Sequence, residues 1–260
     1  GEQDKAQKVY EQIIAQNPKD PKAQIALAGG SNIQQDELRY IAELRPAFER
    51  SDVDVDLKIS KLYPFIAQVV ETGDLTIANA ALELTSIMEE LHNSDPKPFS
   101  AAGDLLYHSG RKLEAAEKYR ATLERDENVF PVWEQLLAAL YESGDAEGLY
   151  ETANDAMDVF PNRSNIQYYL AIAADALGKH DEALDAVSMA EMMSGRNAGL
   201  RAEIKALEGQ IEAHQGNQSA AKAAFEEAFD FLVLGSPVFF VPPSPSSSES
   251  SRPFSPSISG

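Results

Sequence analysis

GDLLYHSGRKLEAAEKY at residues 103–119, LAALYESGDAEGLYETA at 137–153 and AIAADALGKHDEALDAV at 171–187 are one pattern written three times. Each stretch is an apolar helical run, a glycine, a polar turn and a second helical run. Gly110, Gly144 and Gly178 stand 34 residues apart, and Gly73 and Gly216 extend the series at spacings of 37 and 38. A glycine just past a helix supplies the left-handed cap, and an Asp or Asn after it (Asp74, Asp145, Asn217) can cap the next helix. Repetition at this period predicts stacked helix pairs, each burying its apolar face against its neighbours.

Other residues keep register with the glycine. Five positions after it stand Ala78, Ala115, Ala183 and Ala221; twelve after it stand Ala156, Ala190 and Ala228; seven before it stand Gly103, Ala171 and Gly209. Small side chains at these places let two antiparallel helices approach closely. Larger ones fill the gaps: Phe99 and Trp133 eleven before the glycine, Tyr119 and Phe225 nine after it. Pro18 and Pro161 close two of the units, where proline can end a helix.

A 34-residue helix–turn–helix with this set of small, aromatic and closing proline positions resembles the tetratricopeptide repeat (TPR). The units around Gly110, Gly144 and Gly178 match best, and the unit around Gly216 follows a longer connection near Arg196–Gly199. Units around Gly73 and Gln35 are weaker: Gln35-Asp36 replaces the loop glycine, and Gly29-Gly30 shortens the preceding helix. The resemblance implies an all-α, right-handed TPR α-solenoid over residues 1–230, of roughly six and a half helix pairs. Helices are expected at 2–16, 21–28, 34–50, 56–72, 75–92, 97–109, 112–126, 130–143, 146–160, 164–177, 180–194, 198–215 and 218–231. Residues 231–260 form an apolar run, Phe231–Val241, followed by a Ser/Pro-rich stretch. That stretch is expected to be disordered, since such a composition buries no core. The alternative is that it is not the natural continuation of the repeats.

The chain carries 42 Asp+Glu against 22 Lys+Arg, a net charge of −20. Such a balance opposes nucleic-acid phosphates and anionic membrane surfaces, both of which need clustered cations. The Phe231–Val241 run is too short for the ~20 apolar residues of a spanning helix. With no cysteine, disulfides, thiolate metal sites and a cysteine nucleophile are excluded. The chain opens at Gly1 with charged residues, so no signal peptide is visible.

No chemical motif survives inspection. Asp52-Val53-Asp54-Val55-Asp56 has the spacing of a calcium-loop opening, but Leu57 and Tyr63 stand where Gly and a bidentate Glu are needed. It is expected instead to cap the helix beginning near Asp56. Gly178-Lys179 has Ala173 and His180 where a phosphate loop needs Gly and Ser/Thr. His92, His108, His180 and His214 fall in separate units without ligand spacing. Adjacent pairs such as Glu89-Glu90 and Glu226-Glu227 point to different sides of a helix. No enzyme activity, cofactor or metal is expected.

The resemblance implies a concave wall lined by the first helix of each pair. Its expected groove residues are Ser100, Asp104, Tyr107 and His108 around Gly110; Glu134, Tyr141 and Glu142 around Gly144; and Tyr168, Ile172 and Asp175 around Gly178. An aromatic and acidic lining suits a protein or extended peptide carrying Lys/Arg and an apolar anchor. The bland alternative is that these residues only solvate the wall. One TPR subclass grips chaperone C-terminal tails with Lys, Asn and Arg. Here the matching positions hold Ser100, Asp104, Glu134, Ala138, Tyr168 and Ile172, which disfavours that ligand. The implied function is a non-catalytic binding scaffold, the alternative being a docking part of a larger assembly. Long divergent repeats and the Ser51–Asp56 connector resemble repeat-rich bacterial proteins that are often exported. That implies the bacterial cell envelope, with the cytoplasm as the alternative.

Overall fold

The computed structural model describes residues 2–17, 20, 23, 26 and 37–235. Among the described residues all regular structure is helical. The first helices are α1 (Glu2–Gln16), α2 (Glu37–Phe48), α3 (Val55–Thr72) and α4 (Leu75–Leu91). The regular array follows as α5 (Lys97–His108), α6 (Lys112–Leu123), α7 (Phe130–Ser143), α8 (Ala146–Val159), α9 (Ser164–Ala176) and α10 (His180–Met193). It closes with α11 (Ala198–His214) and α12 (Gln218–Gly235). The helix expected at 21–28, with Gly29-Gly30, Gln35-Asp36 and the chain from 236 onward, lies outside the described residues, apart from residues 23 and 26. Asp20 accepts from the Ala23 amide at 2.8 Å, as a helix-capping side chain does.

The glycines end helices as their spacing predicts. Gly144 has φ 77°, and its amide and that of Asp145 return to the Tyr141 and Leu140 carbonyls. Gly73, Gly110, Gly178 and Gly216 share that left-handed conformation, and Gly195 in the longer connection adds a sixth instance. Asp74 then accepts from the amides of Thr76 and Ile77, and Asp145 from that of Gly148. Asp54 caps α3 through the amides of Asp56 and Leu57, so the aspartate run is a helix start. Lys179 precedes α10 without any side-chain cap.

From α5 onward each first helix packs on its own partner and on the first helix of a neighbouring pair, and each second helix packs on the next first helix. The N-terminal part departs from this order, because α2 lies along α4, the second helix of the following pair. Two apolar cores result. One runs from Tyr40 to Leu105 and the other from Leu106 to Ile211, and Leu82 packs against both. None of the described side chains of α1 is buried. The last helix continues through Gly235, past the boundary expected at residue 230.

A buried lysine joins the N-terminal helices. Lys58 of α3 is fully buried and its ammonium donates to the carbonyls of Phe48 at 3.0 Å and Arg50 at 2.7 Å. Its third contact is His92 Nε2 at 2.9 Å, which must accept and so be unprotonated. Burial lowers the Lys58 pKa to about 8. Burial, and then the Lys58 charge, also pull His92 below its ordinary value. The unfolded chain therefore binds the His92 proton more tightly than the folded chain, so stability at this site falls as pH drops below about 6.5. His92→Gln keeps an acceptor without titrating. The expected result is a smaller stability loss between pH 7.5 and 5.5 than in the parent, measured by urea unfolding. Identical pH slopes would remove His92 from the balance.

Candidate functional site

The first helices α5, α7 and α9 carry a row of aromatic side chains from one pair to the next. Tyr107, in the last turn of α5, donates its hydroxyl to the Glu142 carboxylate of α7. Lys112, at the start of α6, places its ammonium 3.3 Å from the Tyr107 ring centre and 2.7 Å from Glu142. His108 meets Tyr107 edge-on, with ring centres 5.0 Å apart. Burial and then Glu142 push the Tyr107 phenol far above its ordinary value. Hydrogen bonds from Lys112 and Tyr107 hold the Glu142 carboxyl low. Burial and then Lys112 lower His108, which favours its neutral form at pH 7.

Further along, Tyr141 stands half-exposed with its ring centre 6.0 Å from Tyr169, and Tyr169 is 6.0 Å from Tyr168. Burial, followed by Glu203, pushes the Tyr168 phenol up to about 12, and burial also raises Tyr169. Tyr107, Tyr168 and Tyr169 are therefore neutral hydroxyls at pH 7. Tyr141 and Ile172 line a cleft of 150 Å³ beside Gly144 and Leu149, a mostly apolar recess at the edge of the aromatic row. Ile172 also packs on the large core. Glu134 accepts from the Asn165 amide, and Ser100 lies half-buried near the start of α5.

The remaining two expected groove residues face inward. Asp104 accepts from the Tyr119 hydroxyl and the Gln135 amide, each at 2.9 Å, and burial raises its pKa against those two bonds. Asp175 has only 3% of its side chain exposed. With Glu142 ion-paired as well, the expected groove residues carry less free acidic charge than their composition suggests. Two participants lie off the expected positions. Lys112 follows the loop glycine, and Tyr169 is the second member of a Tyr-Tyr doublet whose first member alone falls in register.

Stacking also brings a distant histidine to a pair at the turn between α9 and α10. His180 Nδ1 lies 2.9 Å from Asp175 Oδ1, and His214 Nδ1 lies 3.0 Å from both Asp175 oxygens. Gln210 adds an amide contact to Asp175 Oδ2 at 3.3 Å. These histidines occupy separate units, as their sequence positions indicate. The end of α9, the start of α10 and the end of α11 nevertheless bring them to one carboxylate.

No protein-family model matches the chain, and no curated protein matches it. Solved structures do. MamA residues 41-end from Desulfovibrio magneticus RS-1 share 15% identity at a TM-score of 0.55, over 68% of this chain and 96% of that one. YrrB, described as a TPR protein with an unusual peptide-binding site, shares 16% identity at a TM-score of 0.53, over 73% of this chain and 90% of that one. Another MamA structure gives 14% identity and a TM-score of 0.52, with coverages of 62% and 91%. Such identities speak to fold alone. With helix pairs ended by left-handed glycines and each second helix packed on the next first helix, they establish that this chain has the tetratricopeptide-repeat fold.

Proposed function

We propose that the protein is a non-catalytic scaffold that holds an extended peptide along the first helices of residues 97–214. The observation that carries this reading is the aromatic row: Tyr107, Tyr141, Tyr168 and Tyr169 stand on three consecutive first helices. Tyrosine offers a large contact face at low entropic cost and a hydroxyl for a peptide carbonyl. The cleft beside Tyr141 and Ile172 would take an apolar anchor. Glu134 and Glu203, near Tyr168 and Tyr169, would favour a basic residue in the partner. YrrB, which shares the fold, is described as having a peptide-binding site. No helix among the described residues is long and apolar enough to cross a membrane.

A second reading rests on α12, where Phe225, Phe229 and Val233 repeat every fourth residue and are 46%, 65% and 47% exposed. That stripe would dock another helix pair or another chain, making the protein part of a larger assembly. One experiment separates the two. Partner peptides are selected from a random extended-peptide library and titrated by fluorescence anisotropy. Changing Tyr107, Tyr141 and Tyr168 together to Ala is expected to weaken binding by roughly 30-fold or more, the scale of one buried hot-spot residue. Unchanged affinity there, with loss in a Phe225→Ser/Phe229→Ser variant, would move the binding surface to α12.

A further inference from the structure

We propose that Asp175, His180 and His214 form a binding site for a divalent transition-metal ion of the zinc class. The ion would tie the turn of one helix pair to the first helix of the next. Asp175 is the starting point, because a carboxylate with 3% of its side chain exposed needs strong compensation. Among the described residues its ion pairs are with His180 and His214, and neither Lys nor Arg reaches it. The two imidazoles and the Gln210 amide meet its lone pairs, and no permanently charged side chain stands beside it. A divalent cation at the same point balances the carboxylate charge.

The geometry suits such an ion. One carboxylate oxygen and one ring nitrogen from each histidine lie within 4.8 Å of one another. Zinc binds imidazole nitrogen and carboxylate oxygen at about 2.0–2.2 Å, which sets ligands on one tetrahedral face roughly 3.3–3.5 Å apart. The carboxylate–imidazole separations of 2.9 and 3.0 Å reach that spacing with small side-chain rotations. Both rings present Nδ1 to the carboxylate. On binding, each neutral imidazole offers that nitrogen's lone pair and carries its proton on Nε2, so charge and protons balance without another reactant. The His214 side chain is 51% exposed, which leaves room for water as a fourth ligand. Gln210 can orient the ligating carboxylate from outside the coordination shell. Two imidazoles and one carboxylate select zinc, cobalt, nickel or copper over magnesium or calcium, which favour all-oxygen shells.

The site joins α9, α10 and α11, so occupancy strengthens the interface between two adjacent units. The full chain, purified without a histidine tag and treated with chelator, is titrated with Zn2+ in a calorimeter and with Co2+ in an absorption spectrometer. The expected result is one ion per chain and Co2+ d–d bands of low-coordinate geometry. Zn2+ at a hundredfold excess over Kd should also raise Tm by roughly 5 °C. His180→Ala and His214→Ala should each weaken binding at least tenfold while far-ultraviolet circular dichroism stays unchanged. Asp175→Asn, which fills the same volume, guards against a folding failure and should also abolish the Co2+ bands. Saturable binding that persists in the double histidine variant would overturn the proposal. Only weak, non-saturating uptake of Zn2+ would overturn it equally.

Discussion

Trp133→Ala is expected to lower the unfolding free energy by about 3–5 kcal/mol, the range for truncating a buried aromatic in a core that cannot fully collapse. Trp133 is 8% exposed, belongs to the larger core and donates its indole N–H to the Glu127 carbonyl at 2.8 Å. It lines one cleft with Leu123 of α6 and Thr152 of α8, at a place where three helices from two units meet. The substitution loses apolar burial, opens a cavity and removes an anchor for the α6–α7 connection. Since this is the only tryptophan, unfolding has to be followed by circular dichroism in urea. Trp133→Phe should recover part of the loss, because it restores most of the volume but not the N–H donor. A measured cost below about 1 kcal/mol would mean that the neighbouring units close over the gap, contrary to the stiffness expected of a packed core.

The second large effect is expected at Gly103. A Cβ there would stand 2.5 Å from Tyr119 Cε1 and 2.7 Å from Cδ1. Tyr119 cannot yield easily, since it is fully buried and its hydroxyl is held by Asp104. Gly103→Val should therefore destabilise by about 3 kcal/mol, the upper end of overpacking costs, despite removing a helix-interior glycine. Gly209 holds the same repeat position, and a Cβ there would meet Phe225 at 2.8 Å. Phe225 is 46% exposed and can swing outward, so Gly209→Val should cost at least about 1 kcal/mol less than Gly103→Val. The pair is measured by the same urea titrations. Equal costs would show that the close helix approach, and not the mobility of the facing ring, sets the penalty.

Helix–turn–helix units were legible because their signals are local. A positive φ at Gly144 favours glycine whatever surrounds it, and a cap such as Asp74 acts within three residues. Helix bounds between residues 55 and 214 consequently fall within a few residues of those the pattern predicts. That Tyr107, Tyr141 and Tyr168 stand on the first helices of their pairs followed from their distance to the loop glycine. Their charges and neighbours did not. Glu142 is an acidic letter in the sequence, yet Lys112, thirty positions earlier, neutralises it across the pair interface. Asp104 and Asp175 occupy groove positions by register but turn inward to Tyr119 and to two histidines.

The sequence by itself determined the repeat, its period, its caps and its close helix contacts, because each depends on backbone conformation or side-chain size within one unit. Tertiary structure alone decided what lies between units. It set α2 against α4, split the apolar core in two at Leu105 and Leu106, and brought His214 to an aspartate 39 positions away. Those contacts depend on the stagger between successive pairs. That stagger is the sum of many small packing choices along a helix interface, and no single residue or spacing encodes it.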